Sequence, residues 1–130
     1  MNPKRILIVD DETGFTRLLK LILEKKGVFQ VQVENDGLQA VNTARKFKPD
    51  IIFLDVVMPN IDGGDVASLI KADPILTHVP IVFLTAIVSQ KEANRQYSGE
   101  IGGFIFLAKP VNIDTMIECI EQHLGPCAKP

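Results

Sequence analysis

Five polar residues that could share one chemical site stand at the ends of short apolar runs. In chain order they are Asp10, Asp11, Asp55, Thr85 and Lys109. A short apolar run bounded by turn residues is typical of a strand that is buried on both faces. If these strands are parallel, their carboxyl ends lie along one edge of one sheet, which is where open α/β sheets place their sites.

The chemistry of such an edge follows from its charges. Three carboxylates packed together repel one another and raise each other's pKa. A divalent cation removes that repulsion, and carboxylate and carbonyl oxygens are hard ligands that suit Mg²⁺. Beside such a metal, Lys109 and Thr85 would offer the positive charge and the hydrogen-bond donor that a phosphoryl group needs.

Strand and helix patterns alternate five times along the chain. The strand patterns cover residues 4–10, 28–34, 51–55, 81–84 and 104–108. The helix patterns cover residues 13–26, 38–46, 65–71, 89–97 and 113–124, with Thr13 and Asn112 as predicted N-caps. Residues 98–103 are predicted as a turn into the last strand.

This alternation predicts a doubly wound (βα)5 parallel sheet, a flavodoxin-like three-layer sandwich with helices on both faces. The expected strand order is 2-1-3-4-5. The first strand would then lie beside the third, so that Asp10 and Asp11 meet Asp55.

Length and composition favour a single globular domain. The 130 residues include 46% hydrophobic residues, two cysteines and a net charge of −2. This charge balance gives no electrostatic footprint for nucleic acid, and no apolar run approaches the length needed to span a bilayer. Without a signal-peptide pattern, we expect a cytoplasmic protein that has no direct nucleic-acid or membrane partner.

The motifs at these strand ends together resemble the receiver domain of two-component response regulators. They are Asp10-Asp11, Asp55, Met58-Pro59-x-x-Asp62-Gly63, Thr85-Ala86 and Lys109-Pro110. The resemblance covers about residues 4–124. It implies that residues 1–130 form one receiver domain, similar to the single-domain chemotaxis regulators.

The resemblance implies that Asp55 is the phosphoacceptor. Its carboxylate would take a phosphoryl group from a phosphohistidine on a sensor histidine kinase or a histidine phosphotransfer protein. Mg²⁺ is the implied cofactor, bound directly by Asp11, Asp55 and the backbone carbonyl of Val57, with Asp10 acting through a metal-bound water. Such a phosphoprotein of a phosphorelay would not be an enzyme, because it catalyses only its own phosphorylation and slow dephosphorylation.

Further residues are implied to sense the phosphoryl group. Lys109, in a cis peptide bond to Pro110, would bring its ammonium to the phosphate, and Thr85 would donate its hydroxyl and move inward. Phe106 occupies the family's aromatic switch position, with a plain core aromatic as the alternative interpretation. Its rotation would reshape the face of the fourth helix, last strand and final helix, where a downstream output protein would bind.

Two pairs of apolar residues carry further expectations. Phe104 and Ile105 stand where the family usually has polar residues, and they add either to the core or to an apolar patch for a partner or a homodimer. Val57 and Ile87 flank the approach of water to the phosphoryl group, where fast self-hydrolysing relatives carry acids or amides. Their bulk predicts a long-lived phosphoaspartate.

Two other classes of protein compete with this interpretation. An aspartyl-phosphate hydrolase of the haloacid-dehalogenase kind needs aspartates two positions apart, whereas Asp10 and Asp11 are adjacent. A flavin or nucleotide binder on a similar sheet needs a glycine-rich phosphate loop after the first strand, and that pattern does not follow Asp11. A small phosphodonor with Mg²⁺ would separate the three, because a receiver gains one phosphoryl group, a phosphatase turns over and a flavin binder does neither.

Overall fold

Strands and helices alternate along the chain much as the sequence predicts. This computed structural model describes residues 3–86, 98–101 and 104–126. The strands are β1 (Lys4–Val9), β2 (Phe29–Glu34), β3 (Ile51–Asp55), β4 (Ile81–Thr85), β5 (Ser98–Ile101) and β6 (Phe104–Ala108). The helices are α1 (Thr13–Lys25), α2 (Ala40–Phe47), α3 (Gly63–Ala72) and α4 (Ile113–Leu124), and a short 3₁₀ turn covers Gly37–Gln39.

Five of the strands form the predicted parallel sheet in the predicted order. The order across the sheet is β2-β1-β3-β4-β6-β5, and every neighbouring pair is parallel except β5 and β6. Parallel neighbours need crossover connections, and here the crossovers place helices on both faces. The fold is therefore the doubly wound, flavodoxin-like three-layer sandwich that the alternation predicts.

The prediction of a turn over residues 98–103 is wrong for residues 98–101, which form β5. β5 runs antiparallel to β6, with Ile101 opposite Phe104. Without it, β6 would be an edge strand with a row of unpaired backbone N–H and C=O groups. The Gly102-Gly103 pair in the sequence is compatible with this pairing, because glycine is common in tight connections between antiparallel strands.

Two apolar layers, one on each face of the sheet, hold the helices in place. β3 contributes to both, because alternate side chains of a strand point to opposite faces. Ile51 and Phe53 pack with residues of α1 and α4, whereas Ile52 and Leu54 pack with residues of α2 and α3. All four side chains are fully buried, and burying such a side chain contributes about 1.5–3 kcal/mol. Asp55 therefore stands at the end of a rigidly packed strand.

Two side chains of α1 cover the free edge of the sheet at β2. This strand alternates as predicted, with Phe29 and Val31 buried and the residues between and after them more exposed. The Val31 N–H donates to Oε2 of Glu24 at 3.0 Å, and the Val31 carbonyl accepts from Nζ of Lys20 at 2.6 Å. With both groups paired, β2 offers no template for strand addition at this position.

Two helices begin differently from the prediction. Thr13 is the first residue of α1 and not its N-cap; Glu12 takes the cap position, without a side-chain cap bond. The Glu12 N–H is instead bound to Oδ1 of Asp10 at 3.0 Å, which shapes the turn before the helix. α2 begins at Ala40 and not at residue 38, because the preceding residues form the 3₁₀ turn.

The other two described helices start at side-chain caps. α3 begins at Gly63, two residues before the predicted start, since Asp62 accepts from the Asp65 N–H at 2.9 Å. Asn112 caps α4 as predicted, accepting from the Thr115 N–H at 3.1 Å. Each cap satisfies an N–H group that has no partner inside the helix.

Some predictions fall beyond the described part of the chain. The predicted fourth helix, residues 89–97, lies outside it, as does the side chain of Phe104. Ile105 is half-buried and packs with the layer of α1 and α4, which favours a core role for this residue. Among the described helices, none is long and apolar enough to cross a membrane.

Candidate functional site

The predicted site residues meet at the carboxyl-terminal edge of the sheet. Asp55 ends β3 and Thr85 ends β4, while Asp10 and Lys109 directly follow β1 and β6. β3 lies between β1 and β4, and β4 pairs with β6 through Thr85 opposite Ala108. The parallel register therefore brings the acids, the hydroxyl and the ammonium to one edge.

Three carboxylates form the centre of the site. One oxygen from each of Asp10, Asp11 and Asp55 lies within 4.8 Å of the others. Asp10 is fully buried and Asp55 is 6% exposed, whereas Asp11 is exposed. The pKa of Asp55 is raised to about 6, mainly by burial and also by the charge of Asp10, with Lys109 opposing the rise. The fold thus holds the negative charge of Asp55 in surroundings that disfavour it, and a bound cation would offset this unfavourable free energy.

Lys109 is the cation that the structure sets against these acids. Its Nζ lies 2.7 Å from Oδ2 of Asp10, 3.0 Å from Oε1 of Glu12 and 3.6 Å from Oδ1 of Asp55. Burial lowers the pKa of Lys109, but the Asp10, Glu12 and Asp55 carboxylates around its ammonium outweigh that effect, so the pKa is raised. Lys109 is therefore protonated at neutral pH and partly neutralises the cluster.

The donor set fits a hard divalent cation. Within the described residues, Oδ2 of Asp10 is the one buried side-chain oxygen without a hydrogen bond; its 2.7 Å contact with Nζ of Lys109 is an ion pair outside hydrogen-bond geometry. Three carboxylates at this spacing supply the oxygen ligands that Mg²⁺ prefers. The residues present therefore fit Mg²⁺.

The turn after Asp55 is held against the site by a close backbone approach at Gly63. The Gly63 N–H donates to the Val56 carbonyl at 2.8 Å. A Cβ at position 63 would lie 2.3 Å from the Asp55 carbonyl oxygen. Glycine thus allows the first turn of α3 to pack directly on the end of β3. The sequence motif places Gly63 in a turn, but its approach to Asp55 is visible only in the structure.

Gly63→Ala is expected to destabilise the protein and to weaken Mg²⁺ binding. The new methyl group must displace the Asp55 backbone, and overpacking of this kind costs about 1–3 kcal/mol or more. Urea unfolding and calorimetric titration with MgCl2 measure the two effects. Gly14→Ala is the matched control, because a Cβ at position 14 meets nothing within 4 Å. A Gly63→Ala chain with unchanged stability and Mg²⁺ affinity would contradict this account.

Two residues that contact Lys109 are absent from the sequence prediction of the site. Glu12 forms the 3.0 Å ion pair described above although its side chain is largely exposed. The centroid of the Phe15 ring lies 5.0 Å from Nζ of Lys109, which is cation–π geometry. Phe15 lies in α1, where it is half-buried and packs against the core layer of α1 and α4. Neither contact has a sequence signal, because both depend on how far the Lys109 side chain reaches from another strand.

Thr85 and Phe106 lie on neighbouring strands beside the acids. Thr85 is buried, and its carbonyl accepts from the Lys109 N–H at 2.9 Å. The Lys109-Pro110 peptide bond is cis, as the resemblance implies. Phe106 is half-buried and stacks on Phe83, with ring centroids 5.3 Å apart, in the layer of α2 and α3. Phe106 therefore has an aromatic core partner although the residue as a whole is only half-buried.

This doubly wound α/β domain carries an acid cluster and a lysine at one edge of its sheet, and comparison with known proteins identifies its family. Residues 6–121 match the family described as response regulator receiver domain. The chain is 31% identical over 123 residues to the polar-differentiation response regulator DivK of Brucella anthropi, covering 95% of this chain and 98% of that one. The chemotaxis protein CheY4 of Vibrio cholerae superposes with a TM-score of 0.77 at 25% identity, covering 94% and 99%. The receiver domain of a signal transduction histidine kinase from Syntrophus aciditrophicus gives 0.75 at 31% identity, covering 93% and 89%.

The chain belongs to the response regulator receiver family. Phosphoryl acceptance on an aspartate is general to this family, and its members generally bind Mg²⁺ at an acidic pocket. They interact with histidine kinases or phosphotransfer proteins and with output proteins. The present chain has a cluster of three carboxylates at the ends of β1 and β3.

Proposed function

We propose that this chain is a single receiver domain, with its core at about residues 4–124, whose Asp55 accepts a phosphoryl group from a sensor histidine kinase or a histidine phosphotransfer protein. The position of Asp55 carries the proposal. Its carboxylate is buried at the end of β3, with Oδ1 3.6 Å from Nζ of Lys109 and one oxygen within 4.8 Å of Asp10 and Asp11 oxygens. The proposed location is the cytoplasm, where a free buried thiol such as Cys119 is usual.

The transfer moves phosphorus from nitrogen to oxygen. One oxygen of the Asp55 carboxylate attacks the phosphorus of the phosphohistidine. The P–N bond breaks, and its electron pair returns to the imidazole nitrogen, which takes up a proton. Since the pKa of Asp55 is raised only to about 6, the attacking carboxylate is mostly ionised at pH values near 7.

The negative charge of the transferring phosphoryl group has to be neutralised, and the site offers a metal position and Lys109 for this. Asp11, Asp55 and the Val57 carbonyl would hold Mg²⁺, with Asp10 acting through a bound water, and the metal supplies charge neutralisation to the phosphoryl group. On the other side, Asp10 and Glu12 keep the Lys109 ammonium beside Asp55 before the group arrives.

Phosphorylation then changes what Lys109 and Thr85 contact. Phosphoryl oxygens on Asp55 offer the Lys109 ammonium a stronger partner than the exposed Glu12 carboxylate, since charge-assisted bonds to phosphate are among the strong ones. The Thr85 hydroxyl donates to the same group from the end of β4. Phe106 rotates into the space that Thr85 leaves, and the altered surface of β6 and α4 binds a downstream output protein.

Reaction with a small phosphodonor tests this function. Acetyl phosphate with MgCl2 should add one phosphoryl group to the intact chain, measured by mass and removed by hydroxylamine. The same reaction in EDTA should add none. Continuous turnover of the donor would favour a phosphatase, and neither labelling nor turnover would favour a flavin or nucleotide binder; either result overturns the proposal.

The lifetime of the phosphoryl group depends on water reaching Asp55. Val57 stands two residues after Asp55 with its side chain 58% exposed, and Ile87, the other predicted flanking residue, lies outside the described residues. An apolar side chain cannot orient an attacking water, so we predict slow intrinsic loss of the group. Val57→Asn should shorten the lifetime about tenfold, by positioning that water.

Decay of the phosphorylated chain after donor removal, with MgCl2 present, measures this effect. Val57→Leu is the control, because it keeps an apolar side chain of similar bulk at the same position and should decay like the wild type. Loss of the wild-type phosphoryl group within seconds, or equal decay of Val57→Asn and wild type, would show that Val57 does not limit the access of water.

A further inference from the structure

The side chain of Asn35 supplies a hydrogen bond to β1 at the point where β2 ends. The Asp10 N–H donates to the Glu34 carbonyl at 3.1 Å, in continuation of the β1–β2 ladder. The next bond of a parallel ladder would join the Asp10 carbonyl to the N–H of Asp36. That N–H donates instead to Oε2 of Glu34 at 3.0 Å, and Nδ2 of Asn35 donates to the Asp10 carbonyl at 2.7 Å.

The same amide reaches the first turn of α1. Nδ2 of Asn35 also donates to Oγ1 of Thr16 at 2.9 Å. Thr16 is 1% exposed, and its hydroxyl donates to the Thr13 carbonyl at 3.2 Å. Both N–H groups of the Asn35 amide are therefore used. One holds the start of the β1–α1 loop, and the other holds the helix that ends this loop.

The loop between these two anchors carries carboxylates that repel one another. Asp11 is exposed, yet one of its oxygens lies within 4.8 Å of oxygens of the buried Asp10 and Asp55. Like charges at this distance would drive an untethered loop to move Asp11 away. The bond from the Glu12 N–H to Asp10 lies inside the loop, whereas Asn35 ties the loop to the end of β2.

We infer that Asn35 is a positioning residue for the Mg²⁺ site, because it keeps the β1–α1 loop in its metal-binding shape before the ion arrives. This inference rests on the proposed function, since it concerns the same acidic pocket. A loop that is already ordered pays less entropy on binding. Removing residues that orient metal ligands weakens metal affinity about 10- to 100-fold, and Asn35, which holds backbone and not a ligand carboxylate, belongs at the lower end.

Calorimetric titration of the unphosphorylated chain with MgCl2 measures the effect. Asn35→Ala should raise the Mg²⁺ dissociation constant about tenfold. Asn42→Ala is the matched control, because Asn42 is exposed on α2 and its amide contacts the Gln39 side chain at 3.4 Å. The control should stay within about twofold of the wild type, as surface substitutions do.

The Mg²⁺ affinity and the labelling rate together show whether Asn35 positions the metal site or only stabilises the fold. At saturating MgCl2, acetyl phosphate should label Asn35→Ala within about twofold of the wild-type rate, because the bound ion then holds the loop. A residue that only stabilises the fold would leave the dissociation constant of the folded chain unchanged. Urea unfolding in EDTA shows whether the variant is folded at the temperature of the titration.

Thr16 supplies a second test that keeps Asn35 in place. Thr16→Val keeps the shape of the side chain but removes the hydroxyl that accepts from Asn35, so it should raise the Mg²⁺ dissociation constant by less than Asn35→Ala does. Thr16→Ser keeps the hydroxyl and should bind Mg²⁺ like the wild type. If Asn35→Ala does not fold, the Mg²⁺ dissociation constants of Thr16→Val and Thr16→Ser still test whether the Asn35 tether supports metal binding.

Three results would overturn the inference in different ways. Wild-type affinity in both folded Asn35→Ala and Thr16→Val would show that the tether does not serve the metal. A saturated labelling rate that falls as far as the affinity does would show that Asn35 acts on the acceptor itself. Absence of both Mg²⁺ binding and labelling in the wild type would instead remove the proposed function, and this inference with it.

Discussion

Asp55→Asn should leave the chain folded and unable to take up a phosphoryl group. The amide has nearly the shape of the carboxylate but lacks the anionic oxygen that attacks phosphorus. After reaction with acetyl phosphate and MgCl2, intact mass should show the wild type labelled and the variant unlabelled. Asp65→Asn, which changes an exposed aspartate in the first turn of α3, should stay labelled. Full labelling of Asp55→Asn would place the acceptor elsewhere.

The same substitution should raise the free energy of unfolding in metal-free buffer. Burial and the charge of Asp10 raise the pKa of Asp55 from 3.8 to about 6, so the folded chain favours the protonated acid. Ionisation above that pKa therefore costs the wild type stability that the neutral amide does not lose. The gain for Asp55→Asn should be about 1–3 kcal/mol near pH 7, allowing for partial solvent screening.

Urea unfolding in EDTA across the acidic range tests the sign of this effect. The difference between variant and wild type should be fully present above the folded pKa of about 6 and should vanish below the ordinary pKa of 3.8. A difference that is constant with pH would mean that packing, and not the charge of Asp55, sets it.

The edge of the site could be predicted from the sequence because parallel strands leave little freedom. Helical crossovers between the strands make them parallel, and a polar residue directly after a buried apolar run therefore emerges at the shared carboxyl edge. Asp10, Asp55, Thr85 and Lys109 all follow this rule, and the observed register brings them to one edge. The alternation of strands and helices leaves only a few possible strand orders, and the flavodoxin-like order expected among them is the one observed.

The contacts within the site could not be predicted in the same way. Glu12 contacts Lys109 across 97 positions of the chain. The Asn35 side chain binds the Asp10 carbonyl only because β2 ends at Glu34 and leaves that carbonyl without a ladder bond. Both depend on where a side chain reaches after the backbone has turned. Gly63 differs again, because its need for glycine comes from the carbonyl of Asp55 packed against it.

Lys109→Ala should cost the metal-free protein about 2–4 kcal/mol of unfolding free energy near pH 7. Nζ of Lys109 lies 2.7 Å from the fully buried Asp10 carboxylate, and among the described residues Lys109 is the one cation in ion-pair contact with Asp10 or Asp55. Removing it leaves a buried charge without a partner. Lys109→Met, which keeps the aliphatic chain over Phe15, should lose nearly as much stability, because the charge and not the packing dominates.

The dependence of this loss on pH and Mg²⁺ follows from the same charges. The acids raise the pKa of Lys109, so its stabilising effect is fully present below its unfolded-state pKa and is lost only as the pH rises past the folded one. Without Lys109, the pKa of Asp55 rises above its wild-type value of about 6, so the variant should recover stability as the pH falls through that higher pKa toward 3.8. MgCl2 should narrow the loss of stability at neutral pH, because an ion that binds only the folded state stabilises it, and more so the tighter it binds.

Mg²⁺ should bind Lys109→Ala at least as tightly as the wild type, since the substitution removes a competing cation from the acids. The variant should therefore still accept a phosphoryl group. Without the Lys109 ammonium to bind that group, phosphorylation should not change the structure of β6. Amide chemical shifts of β6 and α4 should change on phosphorylation in the wild type and in Lys46→Ala, an exposed lysine of α2, and much less in Lys109→Ala. Equal shift changes in all three chains would mean that Lys109 neutralises the acids without transmitting the signal.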